Sequence, residues 1–368
     1  MRGIAVFSLL RFGSNFNRIK NITMDECHYG EGYARRYIEG TLRSPYTTYK
    51  NEILAKLAKD TGASCVLDLG CNVNPIIKRE GSLRFQMEQQ GIYYIGMDLS
   101  PLYFDTRLAS DLEVRPDEIY TNVVGVVGDM LRIPMKDSSF ALITCVDVLE
   151  HVQNPDTALK EIARVLSANG RALIVLPSMY KLDMGHYPHI EIKRKSSHKS
   201  KLGLSDWEIK LKQVGLEIDY EKSRPLGIAS GLSYLAWLSD DYVPERERLD
   251  GEERYSEQAA LHQQAKRVLT KYDKYIDDAI LSNQEIVLSI SNAMRDGDIK
   301  KVFTILKTIV DTLEMSGDER QTCDDFFNSV SCLDVSDNRI KELQTIYRDR
   351  KNDLYLMGNS ILVVLKKK

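Results

Sequence analysis

The sequence predicts an α/β protein whose parallel sheet is covered by helices on both faces, with a mainly helical segment inserted before its last strand. Three observations predict this. Between Gly62 and Pro177 short apolar runs alternate with amphipathic helical patterns, the sequence mark of a parallel sheet. From Glu253 to about Arg350 the apolar spacing is helical throughout. The chain then reaches GNSILVVLKKK, whose run Ile361 to Leu365 is too short and too β-branched for a helix and needs a sheet to enter.

Taken in order, the N-terminal GIAVFSLL is apolar but short and is followed at once by Arg11, so it reads as a packed strand or helix and not as a membrane span. Tyr46 to Lys59 carries Ile53, Leu54 and Leu57 at helical spacing and is stopped by Gly62. Strand CVLDLG, helix SLRFQMEQQG, strands YYIGMDL, VVGVVGD and FALITCVD, helix PDTALKEIARVLS and strand RALIVLP follow. The basic run Lys193 to Lys201 reads as a solvated loop in preference to an anion-binding patch. Helix SDWEIKLKQVG is capped at Ser205, ends at Gly215 and leads into strand LEIDYEK. In the helical segment Leu261, Ala265, Val268, Tyr272, Tyr275 and Ala279 recur at alternate fours and threes, and Ile299, Val302, Leu306, Ile309 and Leu313 repeat the theme. The economical topology returns Ile361 to Leu365 to the first sheet beside LEIDYEK. This gives three regions: an N-terminal helical lid (1–60), a core (61–224 with 358–368) and a helical insertion (225–357).

A chain of 368 residues with 43% hydrophobic residues can bury a large core. Its net charge of -3 gives no field that would draw it onto nucleic acid or an anionic membrane. The six cysteines lack paired short spacings, so neither a disulfide framework nor a zinc site is indicated, and a reducing cytoplasmic setting is expected. No metal site is assigned.

The chemistry sits at strand ends. After the first strand, Gly70 opens a loop whose backbone N–H groups can meet an anionic group. Asn72, Asn74 and Pro75 stand where a dinucleotide-binding loop would have its further glycines, which argues against a pyrophosphate and for a smaller ligand. Asp98 ends the second strand, where a carboxylate can accept both hydroxyls of a ribose. Asp129 and Met130 end the third, offering an acceptor for an adenine amino group beside an apolar wall.

VLDLGC, YIGMDLSP and the ungapped stretch GDMLRIPMKDSSFALITCVDVLEHVQNPDTALKEIARVLSANGRALIVLP together resemble the class I S-adenosylmethionine-dependent methyltransferases, specifically the group called methyltransferase type 11. The resemblance covers roughly Gly62 to Ser178. It implies a Rossmann-like seven-stranded methyltransferase sheet with the last strand antiparallel, which agrees with the placement of Ile361 to Leu365, and S-adenosylmethionine as cofactor. It also implies that Asp68, Gly70 and Cys71, with Asn72 and Asn74, line the amino-acid end of the cofactor. Asp98 and Leu99 would then take the ribose, Asp129 and Met130 the adenine, and Val146 with Asp147 would neighbour the methyl donor. Ala141 stands for a common Asp and Asn169 for one Gly of a turn.

On the acceptor side the candidates for catalysis are His151, in LEHV, and His186 and His189, in MGHYPHIE after the fifth strand. Tyr187, Tyr29, Tyr33 and Arg36 are candidates for substrate contact, the last three as part of a lid. Three function classes stay open: transfer to an oxygen or nitrogen of a small-molecule, sugar (glycan) or lipid-linked acceptor; transfer to protein or RNA docked on the insertion, the acidic balance arguing against RNA; and binding without turnover. The amphipathic bundle suits a lid, a homodimer interface or a partner dock equally.

Overall fold

The structure is a computed structural model that describes residues 31–111, 113–177, 202, 204–238, 247–249, 252–254, 257–331, 341, 344 and 357–368. GIAVFSLL, the basic run 193–201, and Tyr29, His186, Tyr187 and His189 lie outside the described residues.

Two helices, α1 (Glu31–Glu39) and α2 (Pro45–Asp60), lead into β1 (Cys65–Leu69). Then come α3 (Leu83–Gln89), β2 (Tyr93–Asp98), α4 (Thr106–Asp111), β3 (Gly125–Val127), β4 (Phe140–Val146), α5 (Pro155–Val165), β5 (Leu166–Pro177), α6 (Leu204–Gln213), β6 (Leu216–Ile218), β7 (Arg224–Leu226) and α7 (Ile228–Leu232). A hairpin of β8 (Glu247–Leu249) and β9 (Glu252–Arg254) precedes four helices, α8 (Glu257–Leu281), α9 (Gln284–Asp296), α10 (Ile299–Val310) and α11 (Gly317–Ser331), and the chain closes on β10 (Ser360–Lys367).

The sheet runs in the order β3-β2-β1-β4-β5-β10-β6. Pairs β1–β2, β1–β4, β2–β3 and β4–β5 are parallel, whereas β10 is antiparallel to β5, β6 and β7. The last strand thus returns to the sheet and lies beside LEIDYEK, as its β-branched run requires. That segment is shorter than expected, because the strand breaks after Ile218 and resumes at Arg224, so β6 and β7 flank the two ends of β10 on one side. Eight strand segments therefore fill the seven positions expected. Ser223 bridges the break: its Oγ accepts the Val364 N–H at 2.9 Å and donates to the Asp219 carbonyl at 2.7 Å. The sheet extends to Leu226, so the predicted core boundary at 224 cuts into β7.

Alternation along the strands divides the core. Leu67, Leu69, Ile143, Cys145, Ile174, Val363 and Leu365 face α5 and α6, while Val66, Leu142, Leu173, Val175, Leu362 and Val364 face α2 and α3. Helix α5 starts with Asn154 accepting from the Thr157 N–H at 3.1 Å and Pro155 at its first position, where a missing N–H costs nothing. It buries Ala158, Leu159, Ile162 and Val165, each large apolar side chain contributing about 1.5–3 kcal/mol. Asn169 and Gly170 fall in the irregularity where the β4–β5 register shifts between Phe140 and Leu142.

The helices differ from their sequence reading in three places. The helix expected from Glu253 begins at Glu257, because Glu252–Arg254 pairs as β9. Tyr275 is 60% exposed, and the seam runs instead through Leu269, Ile276 and Ile280, since a regular helix drifts off a strict heptad. Helix α6 begins at Leu204, which puts Ser205 inside it. Among the described residues no helix is long and apolar enough to cross a membrane.

Candidate functional site

Parallel pairing puts the strand ends in line. Leu69 lies opposite Met97 and Cys145, Asp98 opposite Val127, and Val146 opposite Val175. The residues that follow them, Gly70–Asn74, Leu99, Asp129 and Asp147, therefore share one edge of the sheet, where α/β sheets bind ligands.

The first loop is held by its backbone. Gly70 has φ 72°, and a Cβ there would stand 2.5 Å from Val148 Cγ2. Its N–H and that of Cys71 donate to the Met97 carbonyl at 2.8 and 3.2 Å. Asn72 is also left-handed, at φ 50°, which Asn tolerates; its N–H donates to Asp98 Oδ2 at 3.0 Å, and its Oδ1 accepts the Val73 N–H at 2.7 Å. The two asparagines have different tasks. Asn74 is buried, its Oδ1 accepting the Leu83 N–H and its Nδ2 donating to the Cys71 carbonyl, each at 2.9 Å. It braces the loop against α3.

The acidic residues are equally distinct. Asp68 lies within the sheet, below the loop, accepting hydrogen bonds from the Tyr94 hydroxyl and from Thr144 Oγ1 at 2.7 Å. Burial pushes its carboxyl up to about 7. Asp98 is also buried and pushed up to about 6, against which the amides of Ser100, Asn72 and Leu99 favour its charged form. Asp129 Oδ1 accepts the Leu131 N–H at 2.8 Å and so caps the short 3-10 turn Met130–Arg132, in which Met130 is buried. Asp147 ends β4 with φ 54°, its N–H donating to the Val175 carbonyl at 3.1 Å. Val146, before it, packs partly buried on the α2 side of the sheet.

Residues 67–174 match the family model described as a methyltransferase domain. This segment is a methyltransferase domain of that family. The chain is 31% identical over 111 residues to norajmaline N-methyltransferase of Rauvolfia serpentina, covering 30% of this chain and 35% of that protein. It is 30% identical over 140 residues to the chloroplastic tocopherol O-methyltransferase of Arabidopsis thaliana, covering 38% and 36%. A solved S-adenosylmethionine-dependent methyltransferase from Thermotoga maritima is 18% identical, covers 54% of this chain and 84% of its own, and superposes with a TM-score of 0.37. The chain spans about a third of the length of the curated relatives it matches.

Beside the methyltransferase domain, α2 supplies a residue that the motifs do not include. Lys50 Nζ donates to Asp147 Oδ2 at 2.5 Å, its side chain 6% exposed while that of Asp147 is 41% exposed. The signal was present in the sequence, since Lys50 shares the buried stripe of α2 with Thr47 and Leu54 at helical spacing. Glu150, in the 3-10 turn Leu149–His151, is 3% exposed and its Oε2 is buried without a hydrogen-bond partner. His151 Nε2 stands 4.0 Å from Glu150 Oε1, in the turn that follows β4 at the strand-end edge. Tyr33 and Arg36 fall in α1, whose Ala34 and Ile38 pack with Val73, Ile76 and Ile77 behind the first loop.

Proposed function

We propose that the protein is an S-adenosylmethionine-dependent methyltransferase that moves a methyl group to an oxygen or nitrogen of a small-molecule, sugar or lipid-linked acceptor. The observation that carries this reading is the edge itself: a glycine whose Cβ space is closed by Val148, a buried carboxylate at the end of β2 and an exposed one at the end of β4. These residues fit the cofactor. The N–H groups of Gly70 and Cys71 are engaged by the Met97 carbonyl and that of Asn72 by Asp98, not free for an anion as the sequence suggested. This loop would therefore meet the amino-acid end by close backbone approach, while Asp98 and Leu99 would hold the ribose, Asp129 and Met130 the adenine, and Val146 and Asp147 the region of the methyl donor. When bound, the cofactor supplies an electrophilic methyl carbon whose bond to sulfur breaks as the acceptor's lone pair attacks, the bonding pair leaving with sulfur.

The chain's own part is alignment and exclusion of water, which can supply much of the acceleration of an in-line displacement. His151 is the residue proposed to take the acceptor's proton, with His186 and His189 as alternatives on the loop after β5; a base is needed only where the acceptor is protonated at working pH. The two plant relatives, one named as an N- and the other as an O-methyltransferase, support a small acceptor. The proposed division is a lid at 1–60, a core, and a helical insertion at 225–357.

Calorimetry tests the reading. The wild type is expected to bind both S-adenosylmethionine and S-adenosylhomocysteine. Hydrogen bonds to a charged acceptor contribute about 1.5–3 kcal/mol each, so Asp98→Ala should weaken both ligands by at least about tenfold. Absence of binding by the wild type, or an Asp98→Ala variant that binds as well, overturns it.

A further inference from the structure

The end of β4 carries a charge arrangement that positioning alone does not require. Asp147 presents a carboxylate, 41% exposed, in a left-handed backbone conformation, and only its Oδ2 is engaged by Lys50. Behind it Glu150 is almost wholly buried, with an oxygen that has no hydrogen-bond partner. A buried carboxyl oxygen without a hydrogen-bond partner is costly and calls for an explanation. Among the described residues, the groups that face Glu150 are Asp147 and Cys145 from β4 and its end, His151 in the same turn, and Lys50 from α2; Tyr46, one turn before Lys50, faces Asp147. Only Lys50 among them carries a fixed positive charge, and its Nζ is already paired with Asp147.

We propose that Asp147, held by Lys50 and backed by Glu150, forms a charge-selective subsite that favours the cationic sulfonium of S-adenosylmethionine over the neutral thioether of its product. The inference rests on the cofactor reading above, which puts the methyl donor beside Asp147. The two ligands share the nucleoside and the amino-acid tail and differ at sulfur, by one methyl group and one formal charge. A carboxylate pair at the sulfur end therefore acts on the difference between them, promoting product release after transfer. Burial, and then the neighbouring Asp147 charge, push the Glu150 carboxyl up to about 8. Its contribution is absent well below that pH and present above it.

The test compares the affinities of the full chain for S-adenosylmethionine and S-adenosylhomocysteine by calorimetry at pH 6.5 and pH 9. Asp147→Asn should lower the ratio of the two affinities by about fivefold to tenfold at both pH values, as expected for a unit charge several ångströms from the sulfonium in a partly solvated cleft. Glu150→Gln should match the wild type at pH 6.5 and fall below it by about threefold or more at pH 9. Comparing variant with wild type at each pH cancels the ligands' own titration. Retained S-adenosylhomocysteine affinity reports that each variant is folded; if Glu150→Gln does not fold, the exposed Asp147→Asn decides alone. Ratios that stay at the wild-type value while both ligands bind overturn the subsite and leave the cofactor reading standing. Failure of the wild type to bind either ligand overturns both.

Discussion

At the scale of single residues, the loop after β1 shows why Gly70 stays a glycine while the two later positions of the pattern do not. Gly70 needs φ 72° and closed Cβ space, and nothing but glycine meets both demands. Asn72 needs only the left-handed conformation, and Asn74 needs an amide to satisfy Leu83 and Cys71. The loop's position and its left-handed start were legible in the sequence, but not this division of labour, because both asparagines look alike until their partners across the chain are known. Gly70→Ala should therefore destabilise the protein by about 2–4 kcal/mol, summing left-handed strain and overpacking against Val148. It should also weaken S-adenosylmethionine binding, because the loop must shift to relieve the clash. Denaturant unfolding and calorimetry read the two effects, and a variant as stable as the wild type would show that Val148 yields without cost.

At the scale of elements, α2 joins the cleft to the helical bundle through adjacent residues. Lys50 reaches Asp147, while the Tyr49 hydroxyl donates to Asp277 Oδ2 of α8 at 2.8 Å and accepts from Arg224 Nη2 of β7 at 2.8 Å. Asp277 also accepts the N–H groups of Gly227 and Ile228 at 2.8 and 2.7 Å, and Asp273, one turn earlier on α8, accepts that of Ser230 at 3.1 Å. Both carboxyls are fully buried, and burial raises both above the ordinary carboxylate range, the raised Asp273 also feeling the Asp277 charge. The linkage has a definite sign. A carboxyl raised on folding contributes stability that is complete below its unfolded value, near 4, and is lost as pH rises through the folded value. Tm should fall as pH rises from 5 to 9, and Asp273→Asn, which keeps an acceptor for Ser230, should flatten that fall. A gain of at least about 2 °C over the wild type at pH 8.5 is expected, against little change at pH 5; scanning calorimetry checks it, and parallel pH curves would remove Asp273 as a cause. None of this clasp was legible in the sequence. Tyr49 lies far from Asp273 and Asp277 in the chain, and acidic residues on a helix read as solvent-facing until a second element covers them. The sheet's alternation, by contrast, is a local signal, and the strands from Cys65 to Pro177 lie where it put them, whereas α4 was not foreseen and β5 takes Leu166 and Ser167 from the end of the expected helix PDTALKEIARVLS.

At the scale of the whole molecule, the topology supports the proposal that the helical segment is an insertion extending a single strand-to-strand connection. Strands β7 and β10 are antiparallel neighbours, Ser360 lying opposite Leu226, and the Asn359 N–H donates to the Gly227 carbonyl at 3.0 Å. The chain leaves the sheet and re-enters it at hairpin distance, so a turn of about two to five residues can replace residues 228–357. The cut must fall there and not further along the chain, because Ile228, Ala229, Leu232, Leu235 and Ala236 belong to the bundle's own core and would be exposed by a later cut. The shortened protein should keep its sheet and bind S-adenosylhomocysteine, though more weakly, since Tyr49 loses Asp277 and α2 loses the anchor that holds it, and Lys50 with it, against the cleft. Truncation after Lys222 makes the opposite case. It removes β10, whose Ile361 to Leu365 are buried between β5 and the β6–β7 line, and so leaves two strand edges of the core unpaired. That variant should fail to fold. Circular dichroism and S-adenosylhomocysteine titration of the two variants distinguish the cases: equal behaviour, whether both fold or neither does, would mean that the bundle and the sheet are one cooperative unit or that β10 is dispensable, and either result would break the reading of the insertion as a lengthened hairpin.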